Sequence, residues 1–521
     1  MSSSDPELPR PCAGGRKRTD RGVPAYRHGF FAPSAAESAF FVLNICLVIA
    51  ICGSFIYFRW DDLGNGDFQY YGYGGIDFLS HPKLYDRVYI DKPPLAFLMY
   101  FPLVFLPGVS GVAVFFAVVI SAEAFLLRML LRQLRFDEAA CLSGTAFFLT
   151  AALFKSQLDF VSLSHLTNLL ILGACIAGVK GSTRGVITSG VLIAVSFYIR
   201  QNNIILALYP IILGRFTELK TLVVYATSMF VGFLVLFGLF CLISNVDLFV
   251  YTTFFYPFKY ANMGIGAPPL GFRNVVRIFA QGWRDPLLLF LVLWCVAAWA
   301  RVHPVVSGRQ MVLLFGVAFI VIVVPKKPFD HYQGYLLIWF GLLGAWTVHV
   351  LVLPLLREWQ GWLVSFAAGC AIVLVATATQ KQIKLSSELA SAKDRLDHVL
   401  SEVRAALDAR PGHPTLQVFD AIYTLHEAYD GLFVRLTGAT PATPLIFTLL
   451  FSEESASGLP PPFRDQWGLL AQEPPDIVVL KDVGNTTEVG PNFARSLHQF
   501  LANHGYRERA FSNRVAIAER P

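Results

Sequence analysis

Charge is what this sequence has least of. Asp, Glu, Lys and Arg together make up 15% of its 521 residues, against 55% hydrophobic residues, and its mean hydropathy is +0.53. Those values exclude an ordinary soluble enzyme of this length. Cysteine is sparse and oddly placed. Seven of the eight lie in or near long apolar runs, and Cys12 lies in the N-terminal tail. No disulfide framework is therefore available to the polar segments, and no pair has metal-ligand spacing, so the cysteines read as small buried apolar residues. There is no Asp-x-Asp motif and no His/Glu cluster with ligand spacing. A signal-peptide cleavage site is missing too. The first apolar run, AESAFFVLNICLVIAICGSFIYF (36–58), therefore reads as a retained helix long enough to cross a bilayer.

What is present is a succession of such runs. The sequence predicts about eleven spans: 36–58, 109–131, 138–154, 165–179, 185–200, 203–214, 220–243, 284–300, 310–325, 332–353 and 361–379. The net charge of +6 is explained by where the cations fall. With the basic N-terminal tail (1–35) on the cytoplasmic side, the loops LRMLLRQLRFDE, VKGSTRG, GRFTELK, WARVHPVVSGRQ and LREWQG are cytoplasmic too. Each carries Arg or Lys, as the positive-inside rule requires. Nucleic acid is not needed to account for the charge.

The opposite face then holds three outer loops, 59–108, 244–283 and 325–335, and a segment from 380 to the C-terminus. The last begins with a charged amphipathic helical stretch. Short strand-like runs follow (TLQVF, LIFTLLF, DIVVL, RVAIAE), separated by helical patterns and Pro-rich turns. The expected fold is mainly α: a polytopic membrane helix bundle over 36–379 with a small C-terminal α/β extracytoplasmic domain over 380–521.

Cations at the outer ends of spans run against the positive-inside bias and need a reason. Lys92, Arg200, Lys326 and Lys327 are such cases, Arg200 in FYIRQNN and the lysine pair beside His331 and Tyr332 in PKKPFDHYQGY. A phosphate or pyrophosphate at the interface accounts for four cations gathered at one membrane level. Headgroup snorkelling or salt bridges to Asp91 and Asp330 is the plainer alternative. Among the acids of the first loop, Asp67 stands out because it opens DFQYYGYGG, a cluster of rings and glycines. Rings stack on pyranose faces, and a carboxylate beside an acceptor hydroxyl acts as general base. Asp61 and Asp62 are alternative acids. Asp159, in LFKSQLDFVSLSH, falls on the same outer face.

These segments resemble the GT-C class of integral-membrane glycosyltransferases. Asp67, Phe68, Tyr70 and Tyr71, then Leu84, Tyr85 and Asp86, are similar to the acidic aromatic first loop of that class. Lys92-Pro93-Pro94-Leu95 resembles a motif of the lipid A aminoarabinose transferases and their protein O-mannosyltransferase relatives, and His331-Tyr332 resembles the pair that opens a late span there.

The resemblance implies an inverting glycosyltransferase with a polyprenyl-phosphate-linked sugar as donor, working outside a bacterial inner membrane in cell-envelope glycan or lipopolysaccharide synthesis. The acceptor would be a membrane-associated glycan, lipid or protein. Asp67 would be the base. Lys92, Arg200, Lys326, Lys327, His331 and Tyr332 would hold the donor phosphate. Tyr70, Tyr71, Tyr85 and Asp159 would contact substrate. Such chemistry requires no metal or cofactor, because Lys and Arg carry the leaving phosphate's charge. A transporter or flippase of lipid-linked sugars is the competing expectation. It predicts inverted repeats with mid-membrane sites, and the sequence shows no convincing repeat.

Overall fold

The computed structural model describes residues 44, 71, 74–75, 78, 82–85, 91–100, 108–159, 162–214, 216–261, 306–325, 334–352, 398–412, 414–420, 440–442, 464–481, 491–510 and 515–521. The expected spans 36–58, 284–300 and 361–379 lie outside these residues, apart from Asn44.

The first membrane helices follow directly from the apolar runs. Short α1 (Pro94–Leu98) begins with a proline at its first position, where the missing N–H costs nothing. Helix α2 (Gly108–Gln133) turns through Arg135, at φ 57°, into α3 (Glu138–Asp159). That turn is held by charge. Glu138 in the first turn of α3 bonds Arg128 Nε at 3.0 Å and Arg132 Nε at 2.8 Å. Serine caps start the next two helices. Ser162 accepts from Ser164 N at the head of α4 (Leu163–Val179), and Ser182 accepts from Gly185 N at the head of α5 (Thr183–Phe197).

A 3₁₀ turn, Gln201–Ala207, then leads into α6 (Leu208–Gly214). Helix α7 (Leu219–Ile243) has 25 residues, about 37 Å at the α-helical rise, which is enough to cross a bilayer. Its apolar side chains face outward, with Val235 65% and Leu242 83% exposed. In water that surface would be unfavourable; in lipid it is the expected one.

Beyond α7 the chain forms α8 (Val246–Val250), a π turn at Tyr251–Phe255 and α9 (Tyr256–Tyr260). Ser307 and Gln310 make a capping box at the start of α10 (Gly308–Val323), and α11 (Leu336–Thr347) runs on into a π turn at Val348–Val352. Two of the described helices, within α2 and at α7, pass the length and apolarity of a full span; the others are shorter apolar helices.

Small residues let these helices approach closely. A side-chain carbon added at Gly144 of α3 would sit 2.5 Å from the Gly341 carbonyl oxygen of α11. Without a hydrophobic effect between helices in lipid, such backbone contact is a main source of cohesion.

The C-terminal region carries a five-stranded sheet in the order β2-β1-β3-β5-β4. Its strands are β1 (Thr415–Asp420), β2 (Thr440–Pro441), β3 (Ile477–Lys481), β4 (Arg507–Ala510) and β5 (Val515–Glu519). β1 runs parallel to β2 and β3, while β5 is antiparallel to β3 and β4. Alternation sorts the faces. Leu416, Val418, Ile477, Val479 and Ile517 pack with Val399 and Val403 of the helical stretch 398–408. On the other face Phe419 and Phe493 lie against Trp467, with ring centroids 5.8 Å away in each case. Three of the four strand-like runs are strands in the structure; LIFTLLF lies outside the described residues.

Candidate functional site

The segment Arg200-Gln201-Asn202-Asn203 closes α5 and joins elements distant in sequence. Helix α5 stops because Arg200 is fully extended, at φ −157°. Three amides then reach four elements. Gln201 donates to the Thr252 carbonyl (3.3 Å), Asn202 to the Val321 carbonyl (3.1 Å), and Asn203 to both Thr167 Oγ1 (3.0 Å) and the Ser196 carbonyl (2.8 Å). The Tyr335 hydroxyl donates to Asn203 Oδ1 at 2.8 Å and also lies against the Arg200 guanidinium. Arg200 is only 4% exposed. A guanidinium so far from water needs anionic or hydrogen-bonding company, which makes Arg200 a candidate anion-binding residue.

The Lys92 loop arrives at the same end of the bundle. Leu95 N donates to the Tyr198 carbonyl at 3.0 Å, two residues before Arg200. The Tyr85 hydroxyl donates to the Lys92 carbonyl at 2.6 Å, from a residue held at φ 64°. Leu84 pairs with the chain at 243–245, its N–H on Ile243 O and its carbonyl on Asn245 N. The segments 59–108 and 244–283 are thereby stitched together. Lys92 Nζ is 2.6 Å from Asp91 Oδ2 and 6.0 Å from the centroid of the Tyr71 ring. The pairing with Asp91 anticipated as the plainer role for this lysine is present, and it holds the ammonium in place at the bundle end.

Tyr71 and Tyr85, expected on the substrate, are 1% and 3% exposed. Tyr71 packs on Tyr100 (5.8 Å between centroids), and Tyr85 sets its edge to Phe97 at 5.5 Å. In this structure both brace the Lys92 loop. Asp159 is the last residue of α3, three residues before the Ser162 cap of α4; its side chain lies outside what is described. Asp67, Tyr70, Lys326, Lys327, His331 and Tyr332 also lie outside the described residues. Among the described residues, no group of three His, Cys, Asp or Glu is placed to hold a metal.

Sequence reasoning passed over three buried polar residues beside this hub. Glu123 is 0% exposed inside α2, and His165 Nδ1 of α4 lies 3.0 Å and 3.2 Å from its two carboxylate oxygens. Asn168, one turn along α4, donates to the Gly334 carbonyl at 3.1 Å. The signal was available: Glu123 is the one acid in GVSGVAVFFAVVISAEAFLLRMLLRQ, and an ionisable residue inside an apolar span marks a site by default. Next to the hub, Phe233, Leu234, Phe237, Val250, Phe254 and Phe255 line an open apolar depression of about 340 Å³.

No protein-family model and no curated protein sequence matches the chain. Its fold does have a counterpart among solved structures. The crystal structure of ArnT from Cupriavidus metallidurans bound to undecaprenyl phosphate superposes with a TM-score of 0.51 at 12% identity, over 93% of this chain and 98% of that one. The chain therefore has the GT-C fold of an integral membrane protein.

Proposed function

We propose that the chain is an inverting glycosyltransferase that moves a sugar from a polyprenyl-phosphate donor to an acceptor outside the membrane. One observation carries this reading: the Leu95–Tyr198 bond draws the Lys92 loop to buried Arg200 at one end of a GT-C bundle. Two cations held there by packing suit a phosphate monoester leaving group, which needs a fixed positive cradle and no metal. The neighbour's bound undecaprenyl phosphate supports the donor class. The apolar depression beside the Thr252 carbonyl suits the first part of a prenyl chain.

In the proposed step the Asp67 carboxylate takes the acceptor hydroxyl's proton. The oxygen bonds to the anomeric carbon from the face opposite the phosphate. The carbon–phosphate-oxygen bond breaks, and its electron pair leaves on polyprenyl phosphate, balanced by Lys92 and Arg200. Lys326, Lys327, His331 and Tyr332, which enter the sequence just before Tyr335, complete the cradle. Tyr70 and Asp159 line the sugar or acceptor side, with Tyr71 and Tyr85 behind Lys92. The site faces the bacterial periplasm, the segment over 380–521 forms an outer domain, and the acceptor is an envelope glycan, lipid or protein.

The test is turnover of polyprenyl-phosphate sugars, labelled in the sugar, by purified protein in nanodiscs with an envelope extract as acceptor. The reading expects wild type to consume one donor, and Asp67→Asn to bind it without turnover. Turnover unchanged in Asp67→Asn would remove Asp67 as base. Vesicle translocation of an intact donor without sugar transfer would establish a flippase instead.

A further inference from the structure

The geometry points to Glu123 and His165 as positioning residues for the donor-phosphate cradle: a buried pair that, through Asn168, holds the Gly334–Tyr335 backbone and so sets Tyr335 against Arg200. This rests on the functional reading above and deepens it.

Both oxygens of the Glu123 carboxylate face His165 Nδ1, at 3.0 and 3.2 Å. That arrangement selects the tautomer with the proton on Nδ1 and fixes the ring plane. Asn168 lies three residues further along α4, on the same helical face as His165, with its side-chain amide near the Glu123 carboxylate. The same amide donates to the Gly334 carbonyl at 3.1 Å. Gly334 has no room to drift toward α4, since a side-chain carbon there would meet Ser164 Oγ at 2.2 Å. The next residue is Tyr335, 1% exposed, whose hydroxyl reaches Asn203 at 2.8 Å and borders the Arg200 guanidinium.

A role confined to cohesion is the plainer account of such a pair, and it makes a different prediction. A hydrogen-bonded polar pair in an apolar core is generally replaceable by apolar side chains of similar volume at little or no loss of stability. If Glu123 and His165 served only to hold α2 to α4, the paired substitution Glu123→Met with His165→Leu would leave ligand binding alone. If they aim Asn168, it would loosen Gly334 and Tyr335 and weaken the phosphate site while the fold persists. Neither residue touches the donor, so the loss would fall on donor affinity and KM, with kcat little changed.

The experiment measures binding of unlabelled polyprenyl phosphate to full-length protein in nanodiscs, with thermal melting alongside. Four proteins are compared: wild type, Glu123→Met/His165→Leu, Tyr335→Phe and the triple variant; Glu123→Gln is kept as a conservative control. The inference expects Kd to rise about tenfold in the paired variant at a Tm close to wild type, and less in Glu123→Gln, which keeps an acceptor for His165. The triple variant is expected to be no weaker than Tyr335→Phe, because the two act through one contact. If wild type binds and the paired variant binds equally well, or its effect multiplies with that of Tyr335→Phe, the positioning role is overturned and the functional reading stands. If the paired variant does not fold, Glu123→Gln decides alone: an unchanged Kd overturns the role and a raised one supports it. If wild type itself does not bind the lipid phosphate, both fall.

Discussion

Replacing Arg200 by glutamine removes one guanidinium and leaves the backbone around it intact. The Arg200 amide bonds the Ser196 carbonyl at 3.2 Å and its carbonyl accepts from Asn203 N at 3.0 Å, and neither bond involves the side chain. Tyr335 keeps its bond to Asn203. The fold is therefore expected to survive, with the loss concentrated in the anion site. A hydrogen bond to a charged group contributes about 1.5–3 kcal/mol net. With a factor of ten for each ~1.4 kcal/mol, Arg200→Gln is expected to weaken polyprenyl-phosphate binding roughly 10- to 150-fold. Arg200→Lys keeps the charge and loses the planar fork, so its loss is expected to be smaller, on the order of tenfold. The assay is a titration of nanodisc-embedded protein with polyprenyl phosphate, and the donor KM follows the same order. A Kd for Arg200→Gln within twofold of wild type, in a protein that melts normally, would refute the assignment of this end of the bundle as the phosphate site.

Tyr85→Phe deletes the hydroxyl that holds the Lys92 carbonyl at 2.6 Å. The loss of about 1 kcal/mol should appear as a severalfold rise in donor KM with kcat nearly unchanged. Gly144→Val places a branched side chain where the first carbon already meets Gly341 O at 2.5 Å and Ala345 Cβ at 2.7 Å. It should destabilise the bundle by about 1–3 kcal/mol or more, read as a lower Tm in detergent, whereas Gly144→Ala should cost less.

Asp476 tests the sheet. Burial alone would raise its carboxyl, but Thr415 N at 2.8 Å and Thr415 Oγ1 at 3.1 Å, with Arg520 and Arg410, outweigh that and hold it below the usual carboxylate range. A carboxyl depressed in the folded state stabilises above its unfolded pKa of about 3.9 and loses that stabilisation as pH falls through the lower folded value. Wild type should therefore keep this contribution down to about pH 4 and lose it below. Asp476→Asn should lack it at pH 7 and show a flatter acid limb. Hydrogen exchange at residues 477–481 in the full-length protein reads both.

Much of this protein follows from sequence order alone. Apolar length against bilayer thickness sets helices such as Leu219–Ile243, and the scarcity of charge makes each cation at the end of an apolar run conspicuous. Lys92 and Arg200 stood out for that reason, and so did the Pro93-Pro94 turn that starts α1. The strand runs at 415, 477 and 515 were equally legible, because alternation with period two is local.

What sequence order could not reveal is who meets whom. Arg200 and Tyr335 are far apart in the chain and come together because the C-terminal end of α5 meets the N-terminal end of α11 through Asn203. The Lys92 loop reaches them through a backbone bond, Leu95 to Tyr198, that no side-chain pattern encodes. Tyr71 and Tyr85 illustrate the same limit. A ring beside a loop carboxylate reads as a sugar platform from sequence, and only the packing shows that these two are buried. Glu123 and His165 are 42 positions apart, and only the packing of α2 on α4 pairs them. Local composition is written along the chain, whereas partnership between distant polar groups is decided by which helix faces the bundle interior, a property of the whole assembly of helices.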